Sequence, residues 1–236
     1  MKIIGIGDIH GRNIWKKIVS DNEDADEFVF VADYFDSYDI NTTTQINNFL
    51  DIIEFKKTSG KDVILLTGNH DYHYFSAIGN TGTSGYQELG NFMINPILEA
   101  NKEYLQMAYQ IDNLLFTHAG VGESFMDMCF GKDGWKYDTI ADTLNDLWKY
   151  KPRSFIFNGR EESGDDMGQT PIWIRPRSLM RDSQKIKKKY IQIVGHTHRK
   201  EIDIKGKSTG GKYFFIDTLP YQYLIWENGK FSLGIL

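Results

Sequence analysis

Residues that can bind metal ions or move protons follow a short apolar segment near the middle of this 236-residue chain. The segment 63–66 (Val-Ile-Leu-Leu) is followed at 67–71 by Thr-Gly-Asn-His-Asp. A short apolar run that ends at Gly is typical of a buried strand. Asn, His and Asp are poor core residues, so their place after a strand is suggestive of a functional loop.

Four other apolar segments are followed by residues of the same kinds. The set comprises Asp8, His10, Asp33, Asp36, Asn69, His70, His118, His196 and His198. Any one of these taken alone would be an ordinary loop residue or helix cap. The set holds five of the six histidines, however, and unrelated turns would not gather nearly all of them. Mixed imidazole and carboxylate ligands suit zinc, iron, manganese or nickel better than calcium or magnesium. The set is large enough for two ions about 3.5–4 Å apart, as in two-metal hydrolytic sites.

The first part of the chain predicts how these loops are positioned. Strands are expected over 2–7, 28–32 and 63–66, with helices over 13–20 and from a cap at Asn41 to Gly60. This alternation predicts a parallel sheet with helices on its faces. Loops at the carboxyl ends of such strands are where α/β folds place their ligands.

The rest of the chain is less regular. We expect loop and a short helix over 72–100, and helical structure over 121–170. Strands are expected as a hairpin of 105–111 with 114–117, as a short strand 172–174, and over 190–194. A helix is expected over 178–189. The C-terminal residues alternate as strands, with a hairpin turn at Asn228-Gly229. The segment 72–75 is interpreted as packing rather than as a base-stacking surface, and Asp217 as pairing with a neighbouring backbone.

Composition limits the possible functions. A hydrophobic content of 41%, a charged content of 25% and a net charge of -5 are ordinary for a soluble globular protein. The only basic block, 187–189, is small, which argues against a dedicated nucleic-acid binder. No apolar run is long enough for a membrane span. The single Cys129 fits a reducing compartment, so we expect a cytoplasmic protein without a membrane partner.

Five blocks of the chain resemble the motifs of the calcineurin-like metallophosphoesterases. They are Gly7-Asp8-Ile9-His10-Gly11, Asp33-x-x-Asp36, Gly68-Asn69-His70-Asp71, His118-Ala119-Gly120 and Gly195-His196-Thr197-His198. Their order and spacing agree over residues 7–198. The resemblance implies an α/β fold, a four-layer α/β/β/α sandwich of two mixed sheets flanked by helices. We expect one metallophosphoesterase domain over 1–236, with a mainly helical insertion around 121–170.

The same resemblance implies roles for the residues. One divalent transition metal would be held by Asp8, His10, Asp33 and His198, and a second by Asp33, Asn69, His118 and His196. Manganese is expected first, with iron, zinc or nickel as alternatives. Two metals that share Asp33 would lower the pKa of a bridging water, and the hydroxide would attack phosphorus. His70 would protonate the leaving group, and Asp36 would fix the tautomer of the His70 imidazole.

Within the family the chain is most similar to the lambda-type protein phosphatases and the diadenosine tetraphosphatases. The segment 173–175 (Trp-Ile-Arg) resembles the place where those enzymes carry an aromatic residue before a phosphate-binding Arg. Arg175 is therefore a candidate substrate clamp, with an ordinary surface strand end as the alternative. Arg12 could add charge to the site or be a solvent-facing residue at a helix start.

The chain departs from the protein-phosphatase pattern in two blocks. Ala32 stands where the pattern has Gly, Ser37-Tyr38 where it has Arg-Gly, and Asp71 where it has Glu. The second phosphate-binding Arg is thus missing. We expect a phosphomonoesterase similar to Ser/Thr protein phosphatases, acting on a phosphoprotein or a nucleotide. The alternatives are a diadenosine polyphosphate hydrolase or phosphodiesterase, and a non-catalytic member that binds proteins. The complete ligand set and the His70–Asp36 pair speak against the non-catalytic alternative.

Overall fold

The computed structural model describes residues 1–79, 81, 85–161, 163–206 and 212–236. In these residues eleven strands form two sheets, one with six strands and one with five. Helices flank both sheets, so the predicted α/β architecture of two mixed sheets is confirmed. The assignment of the whole chain to one domain with an insertion around 121–170 stays a prediction.

The first sheet holds the N-terminal strands and the C-terminal hairpin. Its strands are β1 (Lys2–Ile6), β2 (Glu27–Phe30), β3 (Asp62–Leu66), β4 (Leu105–Gln106), β10 (Gln222–Glu227) and β11 (Lys230–Ile235). Their order is β11-β10-β1-β2-β3-β4. Strands β1 to β4 are parallel, and β10 and β11 join them as an antiparallel pair. All residues of β2 are buried, as expected for a parallel strand covered on both faces.

The second sheet is built around three parallel strands. Its strands are β5 (Ala108–Ile111), β6 (Leu114–Thr117), β7 (Ile191–Val194), β8 (Asp203–Lys205) and β9 (Tyr213–Phe215), in the order β5-β6-β7-β9-β8. Strands β6, β7 and β9 are parallel, and the edge strands β5 and β8 are antiparallel to their neighbours. One main core joins apolar side chains of both sheets.

The helices lie between and after these strands. They are α1 (Trp15–Ser20), α2 (Thr42–Thr58), α3 (Asn69–Tyr72), α4 (Glu88–Ala100), α5 (Glu123–Phe130), α6 (Ile140–Tyr150), α7 (Pro176–Asp182) and α8 (Ile186–Lys189). Short 3-10 helices cover Lys102–Tyr104, Tyr137–Thr139 and Pro152–Phe155. The predicted cap of α2 is confirmed, because the Asn41 side chain accepts a hydrogen bond of 2.9 Å from the Thr44 amide. No helix in the described part of the chain is both long and apolar enough to span a membrane.

Four local predictions were wrong. The expected strand 105–111 is divided, because β4 pairs with β3 in the first sheet while β5 pairs with β6 in the second. Residues 172–174 form a turn, since the amides of Trp173 and Ile174 both donate to the carbonyl of Thr170. The expected helix 178–189 is two short helices, and α4 is longer than the short helix expected in 72–100.

The carboxyl ends of the parallel strands meet at one edge of the structure. Backbone hydrogen bonds connect the loops that follow them: the His10 amide donates to the Asp33 carbonyl (2.6 Å) and the Gly195 amide to the His118 carbonyl (2.8 Å). Residues far apart in the sequence are thereby held in one rigid cluster.

Candidate metal centre and active site

Asp33 lies at the middle of the cluster. Its Oδ2 is 3.8 Å from Nε2 of His10 and 3.3 Å from Nε2 of His118. Its Oδ1 accepts a hydrogen bond of 3.0 Å from the His70 amide. Two groups of side chains offer ligand atoms within 4.8 Å of one another, and Asp33 belongs to both. The groups are Asp8–His10–Asp33 and Asp33–His118–His196.

The second group presents lone pairs that face one another. His118 Nδ1 donates to the Val31 carbonyl (2.8 Å) and His196 Nε2 to the Trp173 carbonyl (3.1 Å). A neutral imidazole carries one N–H, so the other ring nitrogen of each has a lone pair. Both of these nitrogens lie 2.9 Å from Oδ1 of Asn69, which is also an acceptor. Burial holds the pKa of His196 well below its usual value, which keeps this ring neutral. A cation at this point would satisfy all of these acceptors.

The first group has the same character. Oδ2 of Asp8 accepts a hydrogen bond of 2.9 Å from the His196 amide, but the buried Oδ1 has no partner among the described residues. His10 Nδ1 donates to the Phe35 carbonyl (2.7 Å), which leaves Nε2 directed at Asp33. Burial, followed by the charges of Asp217 and Asp33, raises the pKa of Asp8 well above its usual value. Buried carboxylates this close to one another need a positive counter-charge, and a metal ion fits that need.

Two glycines leave room for the carboxylates. A Cβ on Gly68 would lie 2.0 Å from Oδ1 of Asp33, and a Cβ on Gly195 would lie 1.9 Å from Oδ1 of Asp8. Each carboxylate therefore packs directly on the backbone of a neighbouring loop. Any side chain at 68 or 195 would displace a candidate metal ligand.

Backbone strain is concentrated in the same loops. Positive φ angles occur at His10 (42°), Ala32 (93°), Asp33 (50°), Asp36 (63°) and His196 (64°). Non-glycine residues seldom adopt this left-handed region, and such residues cluster at functional sites. The surrounding hydrogen bonds hold these residues in place and aim their side chains at the cluster.

His70 and Asp36 form a hydrogen-bonded pair, as predicted, beside the two groups of candidate metal ligands. His70 Nδ1 donates to Oδ2 of Asp36 at 2.9 Å, which leaves Nε2 as the nitrogen that can exchange a proton with a ligand. Burial alone would lower the pKa of His70, but the charge of Asp33 and the hydrogen bond to Asp36 outweigh it and raise this pKa to about 9. Burial would raise the pKa of Asp36, but hydrogen bonds from His70 and His73 outweigh it and lower that pKa.

Two further residues contact Asp36, and the interpretation of 72–75 as packing overlooked them. His73 Nε2 donates to Oδ2 of Asp36 at 2.7 Å, and the Tyr74 hydroxyl donates to Oδ1. Asp36, His70 and His73 also lie close enough together to hold a metal ion. Because both rings donate to the carboxylate, the hydrogen bonds explain this third group without an ion. The i, i+3 spacing of His70 and His73 is the sequence signal that could have indicated it.

Asp71 has a structural position. Its carboxylate accepts backbone hydrogen bonds from Asp33 (3.0 Å), Tyr34 (2.8 Å) and Gly68 (3.0 Å), and the residue is completely buried. It connects two of the loops that carry candidate ligands. Its side chain is directed at the backbone and is not placed to contact a bound substrate.

His198 lies apart from the first group. Its side chain is 65% exposed, and its Nδ1 is 3.6 Å from Oδ1 of the largely buried Asp217. The structure therefore brings Asp217 to the edge of the cluster, a position that the sequence did not indicate. Burial raises the pKa of Asp217. A role for His198 as a metal ligand stays a prediction.

The two candidate substrate-binding arginines differ in position. Nη1 of Arg175 donates to the carbonyl of His196 (2.9 Å) and to Oγ1 of Thr197 (3.2 Å). The Arg175 guanidinium therefore lies at the edge of the two groups of candidate metal ligands. Arg12 lines a cavity of about 490 Å³ that also includes Ile40 and Pro220. None of the residues that line this cavity is a candidate metal ligand. Arg175 is thus joined to the cluster, and Arg12 faces a neighbouring space.

Comparison with known proteins identifies the family. Residues 1–200 match the calcineurin-like phosphoesterase family. The chain belongs to this family. Its members are dinuclear-metal enzymes, and the two groups around Asp33 supply candidate ligands for such a centre. No curated protein matches the sequence.

Solved structures share the fold at low sequence identity. A cold-active protein-tyrosine phosphatase from a psychrophilic Shewanella species matches with a TM-score of 0.67 and 15% identity, over 99% of this chain and 77% of its own. A protein serine/threonine phosphatase from Saccharomyces cerevisiae matches with a TM-score of 0.53 and 14% identity, over 99% and 79%. A candidate diadenosine tetraphosphatase matches with a TM-score of 0.52 and 14% identity, over 99% and 93%. At these identities the matches show the fold alone.

Proposed function

We propose that the protein is a phosphomonoesterase that depends on two divalent transition metals. The observation that carries the proposal is the position of the Asp33 carboxylate, which belongs to two groups of ligand-type side chains at once. A carboxylate that belongs to both groups can bridge two metal ions at the short separation typical of two-metal hydrolytic centres. Membership of the phosphoesterase family gives the same chemistry.

The metal ions would be held by the side chains of the two groups. One set comprises Asp8, His10 and Asp33, with His198 completing it after rotation of its exposed side chain, and the other comprises Asp33, Asn69, His118 and His196. We propose manganese, with iron, zinc or nickel as alternatives, because imidazole and carboxylate ligands suit these ions. When bound, the ions supply Lewis acidity toward phosphate oxygens and lower the pKa of water.

His70 is proposed to act as the general acid. Its Nδ1–H is engaged by Asp36 at 2.9 Å, so a proton on Nε2 is available for the leaving oxygen of the substrate. The Asp36 carboxylate, which accepts the hydrogen bond from Nδ1, favours the protonated ring. A protonated imidazole beside the reacting phosphate is the state that a general acid needs at neutral pH.

The charge of the site favours a monoester over a diester. Two divalent ions and Arg175 supply five positive charges, and Asp8, Asp33 and Asp217 offset three of them when ionised. The remaining charge matches a terminal phosphate dianion better than a diester monoanion. Arg175 can add hydrogen bonds to phosphate oxygens while it stays bound to the His196 loop.

A dinucleotide polyphosphate is the second candidate substrate class. The observation in its favour is Tyr38, which is 89% exposed and lies two residues after Asp36, where the protein-phosphatase pattern has Arg-Gly. An exposed aromatic ring can stack on a nucleobase. The proposed substrate is therefore a phosphoprotein or a nucleotide. A cytoplasmic location is also proposed, because the single Cys129 fits a reducing compartment.

Hydrolysis of a small panel by manganese-loaded protein tests the proposal. A phosphopeptide should be cleaved faster than a bis-aryl phosphodiester, and diadenosine tetraphosphate measures the second candidate. Metal analysis should find two ions in the wild type and a large loss of bound metal in Asp33→Asn. Wild type that binds no metal, or a variant that binds as well, would overturn the proposed centre.

A further inference from the structure

The carboxylate of Asp36 has more hydrogen-bond partners than orientation of His70 requires. His70 and His73 both donate to Oδ2, at 2.9 and 2.7 Å, and the Tyr74 hydroxyl donates to Oδ1. The side chain of Asp36 is fully buried, so these three donors replace its solvation. All three come from α3 and the two residues that follow it.

Tyr74 is itself held by the segment that precedes α4. Its hydroxyl accepts a hydrogen bond of 2.9 Å from the Gln87 amide, and its ring stacks on Tyr86 with the centroids 5.2 Å apart. The His73 ring lies edge-on to both tyrosines, with centroid distances of 4.5 and 5.0 Å. The donors to Asp36 therefore belong to a packed aromatic group and have little freedom to rotate.

The same segment packs against the His70 ring. A Cβ on Gly85 would lie 2.8 Å from Cε1 of His70. The imidazole is thus confined by Gly85 on one side and by the Asp36 carboxylate at Nδ1. Asp36 has a φ of 63°, an unfavourable value for a non-glycine residue, so its loop needs support to stay in place.

We propose that His73 and Tyr74 are positioning residues, which fix the Asp36 carboxylate and through it the orientation of the His70 imidazole. The inference rests on the proposed function, because it takes His70 as the proton donor to the leaving group. Neither residue contacts the substrate in this role. Both act by fixing the rotation of the Asp36 carboxylate about its Cβ–Cγ bond. Oδ2 then offers the His70 Nδ1–H a single acceptor position.

The kinetic test uses Tyr74→Phe, His73→Leu and His73→Gln in manganese-loaded protein. With phenyl phosphate, whose leaving group needs a proton, Tyr74→Phe and His73→Leu should lower kcat about 10–100-fold, as expected for misplacement of a catalytic group. With 4-nitrophenyl phosphate the loss should stay below about 3-fold, since that leaving group needs little protonation. KM and metal content should not change. His73→Gln keeps an amide donor near the position of Nε2 and should recover most of kcat.

A matched control removes another hydroxyl that donates to a carboxylate. The Tyr109 hydroxyl donates to Oε2 of Glu27 at 2.8 Å. Glu27 begins β2, whereas the site follows the carboxyl end of that strand. Tyr109→Phe should leave kcat unchanged with both substrates. Thermal unfolding of every variant separates misplacement from loss of fold.

A second readout needs neither metal nor turnover. In the metal-free protein, the Nδ1–H of His70 should give a low-field NMR signal with slow exchange with water, because it donates to the fully buried carboxylate of Asp36. Tyr74→Phe should speed this exchange, and Tyr109→Phe should not. This measurement tests the positioning role even if the enzyme cleaves none of the panel.

The outcomes distinguish the two proposals. If His70→Asn loses kcat equally with both phenyl substrates, the proposed role of His70 is wrong. If His70→Asn shows the expected dependence on leaving group but Tyr74→Phe and His73→Leu behave as wild type in kinetics and exchange, the positioning role is wrong. If His73→Gln is as slow as His73→Leu, its hydrogen bond is not the feature that matters.

Discussion

The close packing of Asp8 on the backbone of Gly195 gives a prediction for Gly195→Ala. The φ of Gly195 lies outside the left-handed region, so the new methyl group causes no backbone strain. The atoms nearest to its position are Oδ1 of Asp8 at 1.9 Å, Cγ2 of Val31 at 2.9 Å and Cγ of Asp8 at 3.0 Å. A Cβ atom essentially never lies within 3.0 Å of a heavy atom outside its own and the adjacent residues, so the carboxylate must move by about 1 Å.

The cost can be estimated from the contacts that this movement disturbs. Overpacking of a buried site costs about 1–3 kcal/mol. The hydrogen bond from the His196 amide to Oδ2 of Asp8, now 2.9 Å, would be weakened, and a bond to a charged acceptor contributes about 1.5–3 kcal/mol. We expect Gly195→Ala to lower the free energy of unfolding of the metal-free protein by about 3 kcal/mol. Metal affinity should fall at least about 10-fold, because a candidate ligand is displaced.

A double-mutant cycle isolates the contact. Asp8→Ala removes the carboxylate, so in that background Gly195→Ala should cost only about 1 kcal/mol, the remainder due to Val31. Urea unfolding in the presence of a chelator measures all four proteins, and calorimetry measures manganese binding. Gly60→Ala is the control, since among the described residues no atom beyond its two chain neighbours lies within 4 Å of its Cβ position, and its cost should be equal in both backgrounds. A coupling below about 0.5 kcal/mol together with unchanged metal affinity would refute the reasoning.

Three further predictions concern turnover and pH. His70→Asn should keep both metal ions and lower kcat about 10²–10⁴-fold for poor leaving groups, but much less for activated aryl phosphates in the same assay. Arg175→Ala should raise KM and lower kcat together, because a clamp contacts the substrate in both the ground state and the transition state. Steady-state kinetics on a monoester and a diester with the same leaving group measure both constants. Unchanged values would show that Arg175 is not part of the site. The pKa of His70 is raised from 6.5 to about 9, so the metal-free protein should have this stabilisation in full below pH 6.5 and lose it as the pH rises through 9. The loss is about 3 kcal/mol, and urea unfolding of His70→Asn should show a flatter pH dependence.

The strands that carry the site could be predicted because their signals are local. The apolar segments ending before Asp8, Asp33, Asn69, His118 and His196 are β1, β2, β3, β6 and β7. Buried parallel strands read as continuous apolar runs, and their carboxyl ends meet at one edge. A pattern of ligand-type residues after such runs therefore indicates both the fold class and the cluster.

Other features depend on contacts that no local pattern records. The division of 105–111 between two sheets follows from pairing partners on either side of Met107, and both halves are apolar enough for one strand. The segment 172–174 has strand-like composition, but Pro171 and Pro176 flank it and its amides close a turn on Thr170. The approach of Asp217 to Asp8 likewise depends on how the two sheets pack.

The departures from the protein-phosphatase pattern differ in what they affect. Asp71 binds three backbone amides, and Ala32 has a φ of 93° that Gly would adopt without strain, so both act on the geometry of the loop around Asp33. Neither side chain is placed to contact a phosphate. Asp71 therefore gives no reason to prefer a diester over a monoester substrate. What remains is the replacement of Arg-Gly by Ser37-Tyr38, which removes one positive charge and adds an exposed ring. Under the proposed function, the choice between a phosphoprotein and a dinucleotide therefore depends on Ser37-Tyr38, because this is the departure that changes an exposed side chain.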